Sequence, residues 1–215
     1  MRTEVWFDGE VGRLEGLLEW PEDGLAVGGV VVAHPHPLYG GTMRQPVVHH
    51  VARACNRRGL ATLRFNFRGV GGSAGRFSNL DEYRDVQAAV TYLTARLEDR
   101  PVSLAGYSFG AAVAALAVVE GAEVARLGLV AFPVNWDETM PSFFSLLGAR
   151  AVPILAVCGE LDDIAPPPDV EALLRGVGAD PRMVTVRGAD HFFIGSADQV
   201  GYAVAAFMLE DAHAA

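Results

Sequence analysis

The sequence predicts an α/β fold: a mostly parallel, doubly wound sheet of about eight strands with helices on both faces. Three observations carry this. Apolar runs rich in β-branched residues, such as "GGVVVAH" and "VPILAVCGE", suit parallel strands covered on both sides. Segments with helical spacing alternate with these runs, with no repeat and no linker between them. The 215 residues fit one domain, 1–215, large enough to bury a full core.

The elements follow in order. "TEVWFD" and "RLEGLLEWP" read as two antiparallel strands joined at Gly9 to Gly12, at a sheet edge. "GGVVVAH" is a central strand, and "PHPLYGGTMRQP" is the loop after it. From Pro46, Val47, Val48, Val51, Ala52 and Cys55 recur at helical spacing, with Gly59 as the stop. "LATLRFNF" is a strand and "RGVGGSAGRF" a loop. Asn79 to Glu82 has the form of a capping box opening a helix whose apolar face holds Val86, Ala89, Val90 and Leu93. "PVSLAGYS" is a strand, and "FGAAVAALAVVE" is a helix apolar nearly all round, hence buried. "RLGLVAFPV" and "VPILAVCGE" are buried strands, "DVEALLRGVG" a helix, "RMVTVRG" a strand, and "ADQVGYAVAAFMLEDA" the closing helix.

Composition narrows the function. The formal net charge is −9 and every basic side chain is an arginine, which argues against a nucleic-acid partner. No run is long and apolar enough to span a membrane, and the acidic start "MRTEVWFDGE" has no apolar h-region, so the expectation is a cytoplasmic protein with no membrane partner. Cys55 and Cys158 form no C-x-x-C and read as buried thiols.

In a doubly wound sheet, function sits in the loops at the C-terminal strand ends. "GYSFG", Gly106 to Gly110, is a G-x-S-x-G placed between a strand and a helix. That arrangement puts Ser108 on a sharp, strained turn above the sheet, and the two glycines remove side chains that would collide there. A serine nucleophile needs a base, and the base needs an orienting acid. His191, in "GADHFF", follows the last strand; Asp162, in "CGELDDIAPP", follows the strand before it. The chain order Ser108, Asp162, His191 suits three loops after successive strands.

Through "GYSFG", "GELDDIAP" and "GADHFF", the chain resembles the α/β-hydrolase superfamily over nearly its full length. It is most similar to small bacterial members, near the dienelactone-hydrolase-like and acyl-peptidase-like branches. The resemblance implies the α/β-hydrolase fold and a Ser108–His191–Asp162 triad, with Asp162 favoured over its neighbour Asp163. Asp137 stands where some lipase-like members carry the acid, and Asp190 reads as a turn cap. The resemblance also places "AHPHPLYGG" in the position of an oxyanion loop. One donor is then the N–H of Phe109. The other is the N–H of His36, because Pro35 and Pro37 have none, with Leu38 or Tyr39 behind it.

Other motifs yield to simpler readings. His34-x-His36 has the form of half a metal site, but would need a third ligand such as His191 or Asp162. We expect His34 to pack under its loop and bond backbone, with no metal and no cofactor required. "GVGGSA" matches a dinucleotide fingerprint, yet the helix opens too late for one; a tight rim loop is expected, with Arg68 and Arg76 flanking it. Of the adjacent His49 and His50, one should be half-buried and the other exposed.

Between the sixth and seventh strands the chain has room for one short helix at most, so no large cap domain is expected. The site should be open and suited to small or flexible esters or thioesters. Leu38, Tyr39, Tyr107, Phe143 and Phe144 are the candidate substrate contacts. The expected function is serine-hydrolase cleavage of such small-molecule substrates through an acyl-enzyme. The competing expectations are a peptidase or amidase, or a non-catalytic binding protein on the same fold. Oligomeric state is not legible.

Overall fold

The apolar runs become the centre of one sheet. In the computed structural model, which describes residues 1–79, 81–134 and 144–210, the strands β3 (Gly28–Ala33), β4 (Leu60–Phe65), β5 (Val102–Tyr107), β6 (Leu127–Val130) and β7 (Ile154–Gly159) are buried along their whole length. The edges are formed by β1 (Arg2–Gly9) with β2 (Gly12–Glu19), and by β8 (Pro181–Val186). Among the described residues, the sheet's eight strands run in the order β1-β2-β4-β3-β5-β6-β7-β8. β1–β2 and β2–β4 pair antiparallel, and every other pair is parallel. This is an α/β-hydrolase fold.

Among the described residues, five α-helices connect or close the strands: α1 (Pro46–Asn56), α2 (Glu82–Thr94), α3 (Phe109–Val119), α4 (Pro167–Gly176) and α5 (Ala197–Met208). α1 packs beside α5, and α2 beside α3, while α4 covers β7 and β8. The expected stripe of α1 (Val47, Val48, Val51, Ala52 and Cys55) is buried as its spacing predicts. Every residue of α3 is buried, which matches its uniformly apolar sequence. Among the described residues no helix is long and apolar enough to cross a membrane. Cys55 and Cys158 are free and buried, and burial pushes both thiols up to about 12.

Three details depart from expectation. The expected capping box does not cap α2, whose N-cap is Asp81 and makes no side-chain capping bond. Glu82 accepts the Ser78 N–H at 2.7 Å and Ser78 Oγ accepts the Asp81 N–H at 2.9 Å, while Asn79 takes a left-handed φ of 83°. Asn tolerates that conformation, and the turn it allows ties Ser78 to Asp81 and Glu82 ahead of the helix. α4 starts at Pro167, earlier than expected, because proline suits a first helical turn. His49 and His50 are both half-buried.

β4 is buried but not apolar, and its polar face builds the platform under the candidate site. Thr62 and Arg64 alternate along it with Leu63 and Phe65, and Asn66 and Phe67 follow directly after its end. Arg64 donates to the Glu19 carboxylate at 2.8 Å and to the Met43 carbonyl at 3.2 Å. Asn66 accepts the Met43 N–H at 2.9 Å and donates to Glu15 at 2.9 Å. The loop after β3 is thereby tied to the strand beside it.

The glycine loop after β4 is similarly anchored. Ser73 Oγ donates to the Asn66 carbonyl at 2.7 Å, and Glu15 accepts the Gly72 N–H at 2.8 Å. Arg68 is buried, its guanidinium held by Asp85 at 2.8 Å and by Glu10 at 3.3 Å, so it serves the structure; Arg76 is exposed. Removing one partner of such a buried pair typically costs about 3–5 kcal/mol.

Candidate active site

The G-x-S-x-G turn is a matter of backbone clearance. A Cβ on Gly106 would stand 2.1 Å from the Gly110 carbonyl oxygen, and one on Gly110 would stand 2.5 Å from the carbonyl oxygen of His34. Only glycine at both positions lets β5 turn into α3 this tightly against the end of β3. Ser108, between them, has φ 55° and ψ −121°, a strained conformation for a residue with a side chain. Its N–H donates to the Val130 carbonyl at 2.8 Å, which pins the turn to β6.

Ser108, His191 and Asp162 meet there. Ser108 Oγ lies 2.9 Å from His191 Nε2. His191 Nδ1 lies 2.9 and 3.0 Å from the two carboxylate oxygens of Asp162. The Asp162 carboxylate also accepts the N–H groups of Ile164 at 2.9 Å and Ala165 at 2.8 Å. A buried carboxylate without partners would be costly, and these donors satisfy it and aim it. Asp163 is exposed at the rim of the cleft. Asp190 accepts the Phe192 N–H at 3.0 Å, the turn cap expected of it. Asp137 lies outside the described residues.

The loop after β3 is a rigid turn over this triad-like chain. His36 Nδ1 accepts the Leu38 N–H at 3.2 Å, and the His36 carbonyl accepts the N–H groups of Tyr39 and Gly41, each at 3.1 Å. Two of the three candidate loop donors, Leu38 and Tyr39, are therefore committed within the loop. The His36 ring packs against Tyr39, Phe77 and Phe109 at 4.9 Å each. Partial burial lowers its pKa, against a hydrogen bond with the Asn79 side chain that raises it.

His34 is completely buried beneath the loop, with both ring nitrogens engaged. Nδ1–H donates to the Pro35 carbonyl at 2.7 Å, and Nε2 accepts the Phe67 N–H at 3.1 Å. These partners require one neutral tautomer. Burial lowers its pKa from 6.5 to about 4, only partly offset by the Pro35 bond.

The consequence is acid sensitivity. Above pH 6.5 His34 is neutral in both the folded and unfolded chains, and its full contribution is present. As pH falls towards 4, the unfolded chain takes up a proton that the folded chain refuses, so stability falls. At about 1.4 kcal/mol per unit the loss reaches about 3 kcal/mol. Urea-unfolding free energies measured from pH 7 down to 4 should fall accordingly. In His34→Asn that part of the slope should be absent; an unchanged slope would count against this assignment.

A cleft of about 720 Å³ opens over Ser108 and His191. Pro35, His36, Tyr39, Val47 and Phe109 line it from the loop after β3 and from helices α1 and α3. Ile164, Phe192 and Ile194 line it from the acid and histidine loops.

The predicted substrate contacts divide. Tyr39 is 87% exposed and lines the cleft, as does Tyr107. Leu38 is exposed but does not line it. Phe144 is a correction: it is buried against Phe132, ring centroids 5.2 Å apart, and packs the core instead of the cleft. Phe143 lies outside the described residues. Sequence reasoning missed Ile164, Phe192 and Ile194. Their visible signal was large apolar side chains in loops immediately beside Asp162 and His191.

Comparison with known proteins agrees with this fold. The family model described as "Serine aminopeptidase, S33" matches residues 31–151, a span that includes the loop after β3 and the serine turn. An uncharacterised protein of Rickettsia prowazekii is 33% identical over 200 residues, which cover 88% of this chain and 82% of that protein. Among solved structures, an α/β serine hydrolase homologue from Coxiella burnetii is 34% identical with a TM-score of 0.85, covering 95% of this chain and 96% of its own. A Xanthomonas campestris protein described as an α/β serine hydrolase without a lid is 31% identical with a TM-score of 0.81, covering 94% and 91%.

Proposed function

The chain belongs to the α/β-hydrolase superfamily, and from that premise we propose that it is a serine hydrolase cleaving carboxylic esters or thioesters through an acyl-enzyme. The observation that carries the proposal is the continuous hydrogen-bonded chain from Ser108 through His191 to Asp162 at the floor of an open, mainly apolar cleft.

In this reading Ser108 Oγ attacks the acyl carbon while His191 Nε2 takes the hydroxyl proton. The carbonyl oxygen gains the electron pair, and the N–H groups of Phe109 and His36 stabilise it. Collapse of the tetrahedral adduct breaks the bond to the leaving alkoxide or thiolate, which takes the proton from His191. Water then attacks the acyl-enzyme, again giving its proton to His191; collapse of this second adduct breaks the acyl–Oγ bond, returns the proton from His191 to Ser108 Oγ and releases the acid. Asp162 keeps Nδ1 protonated and stabilises the imidazolium formed in each half-reaction. The exposed side chains of Tyr39 and Ile194 at the cleft favour a flexible, uncharged acyl group. Each methylene removed from water against them adds up to about 0.8 kcal/mol.

Labelling with a fluorophosphonate probe tests the proposal. An activated serine phosphonylates, whereas a serine in a non-catalytic binding site does not. The expected result is a single adduct that maps to the peptide containing Ser108. A native protein that stays unlabelled, or labels elsewhere, would overturn it.

A further inference from the structure

Tyr107, the residue before Ser108, ends β5 and is buried. Its ring lies beside the His191 imidazole, centroids 5.9 Å apart, and meets Phe193 edge-on at 6.3 Å. Its hydroxyl donates to the main-chain carbonyl of His191 at 2.9 Å, across 84 residues of sequence.

We infer that Tyr107 is a positioning residue for the general base: its hydrogen bond to the His191 carbonyl holds the imidazole between Ser108 and Asp162. The inference rests on the hydrolase reading above.

The need for such a tie follows from the local backbone. His191 lies in a turn between β8 and α5, outside regular structure. Phe193, two residues on, has φ 51°, which a bulky side chain adopts only when its surroundings enforce it. Neighbouring bonds hold the flanks of this turn: Leu161 N–H to the Ala189 carbonyl at 2.8 Å, and Phe192 N–H to the Asp190 carboxylate at 3.0 Å. The Tyr107 bond acts on His191 itself.

The anchor is rigid. Tyr107 pairs with Val130 across the sheet and adjoins Ser108, so one strand end sets the nucleophile through the main chain and the base through a side chain. Burial, with the charges of Asp162 and Asp190 nearby, holds the phenol well above its ordinary pKa, so it stays a donor. A hydroxyl committed to a backbone carbonyl is not offered to a substrate. The expected substrate contact is thus limited to the part of Tyr107 that lines the cleft.

Tyr107→Phe keeps the ring and removes the bond. A buried carbonyl left without its donor shifts the turn, and small displacements of a reacting group are costly in rate. The test is phosphonylation of Ser108 by a fluorophosphonate probe, normalised to the folded fraction from circular dichroism. Tyr107→Phe should slow the saturated labelling rate by about tenfold and leave half-saturation unchanged. In a His191→Ala background the same substitution should cause no further loss, since residues that act through one another are not additive. Labelling as fast as wild type, a change confined to half-saturation, or losses that multiply in the His191→Ala background would overturn the inference alone. A wild-type protein that does not label would overturn the hydrolase reading and this inference with it.

Discussion

Ser108→Ala should lower kcat/KM for p-nitrophenyl esters by about 10⁴–10⁶, the effect of deleting a nucleophile whose partners act as a unit with it. The hydroxyl oxygen is bound to His191 Nε2, and its removal leaves no buried backbone group unpaired. Alanine also inherits the strained φ of 55° without added bulk, so the turn and the melting temperature should be preserved. Residual activity should remain above the uncatalysed rate, because the proposed oxyanion donors and the cleft survive. The assay is a series from acetate to decanoate with wild type and variant side by side. A variant as active as wild type would remove Ser108 from the reaction.

The fold was legible where burial made the sequence monotonous. β3 and β7 lie under helices on both faces, and they read as unbroken apolar runs. The convergence of Ser108, Asp162 and His191 was legible because each lies in a loop after a strand of the parallel sheet, where topology brings loops together. Side-chain direction within those loops was not. Phe144 turns into the core while Phe192 stays 62% exposed, and no periodicity distinguishes them. The direction of Phe192 depends on a turn whose next residue has positive φ, a property of the folded backbone. The pairing of Arg64 inside a buried strand was not legible either, because its acceptors, Glu19 and the Met43 carbonyl, come from β2 and a distant loop. The link from Tyr107 to His191 is invisible for the same reason, since local pattern carries nothing across 84 residues.

Asp162→Asn, set beside Asp163→Asn, separates the two adjacent acids. The Ile164 and Ala165 N–H groups both donate to Oδ1, so an asparagine keeps its carbonyl oxygen there and places its NH₂ where Oδ2 now stands. That NH₂ faces His191 Nδ1 across 2.9 Å and must donate to it. Nδ1 then becomes an acceptor, the ring proton moves to Nε2, and Nε2 can no longer take the proton of Ser108. Because geometry is kept and only the tautomer is wrong, kcat should fall by about 10⁴ with the melting temperature nearly unchanged. Asp163→Asn alters an exposed carboxylate that makes no bond to the imidazole, and its kcat should stay within about twofold of wild type, as for surface changes away from the reacting groups. The two variants are to be compared by steady-state kinetics on one ester, with circular dichroism melts as the control. A large loss in Asp163→Asn together with an active Asp162→Asn would move the orienting role to Asp163. It would also mean that the acid loop rearranges when substrate binds.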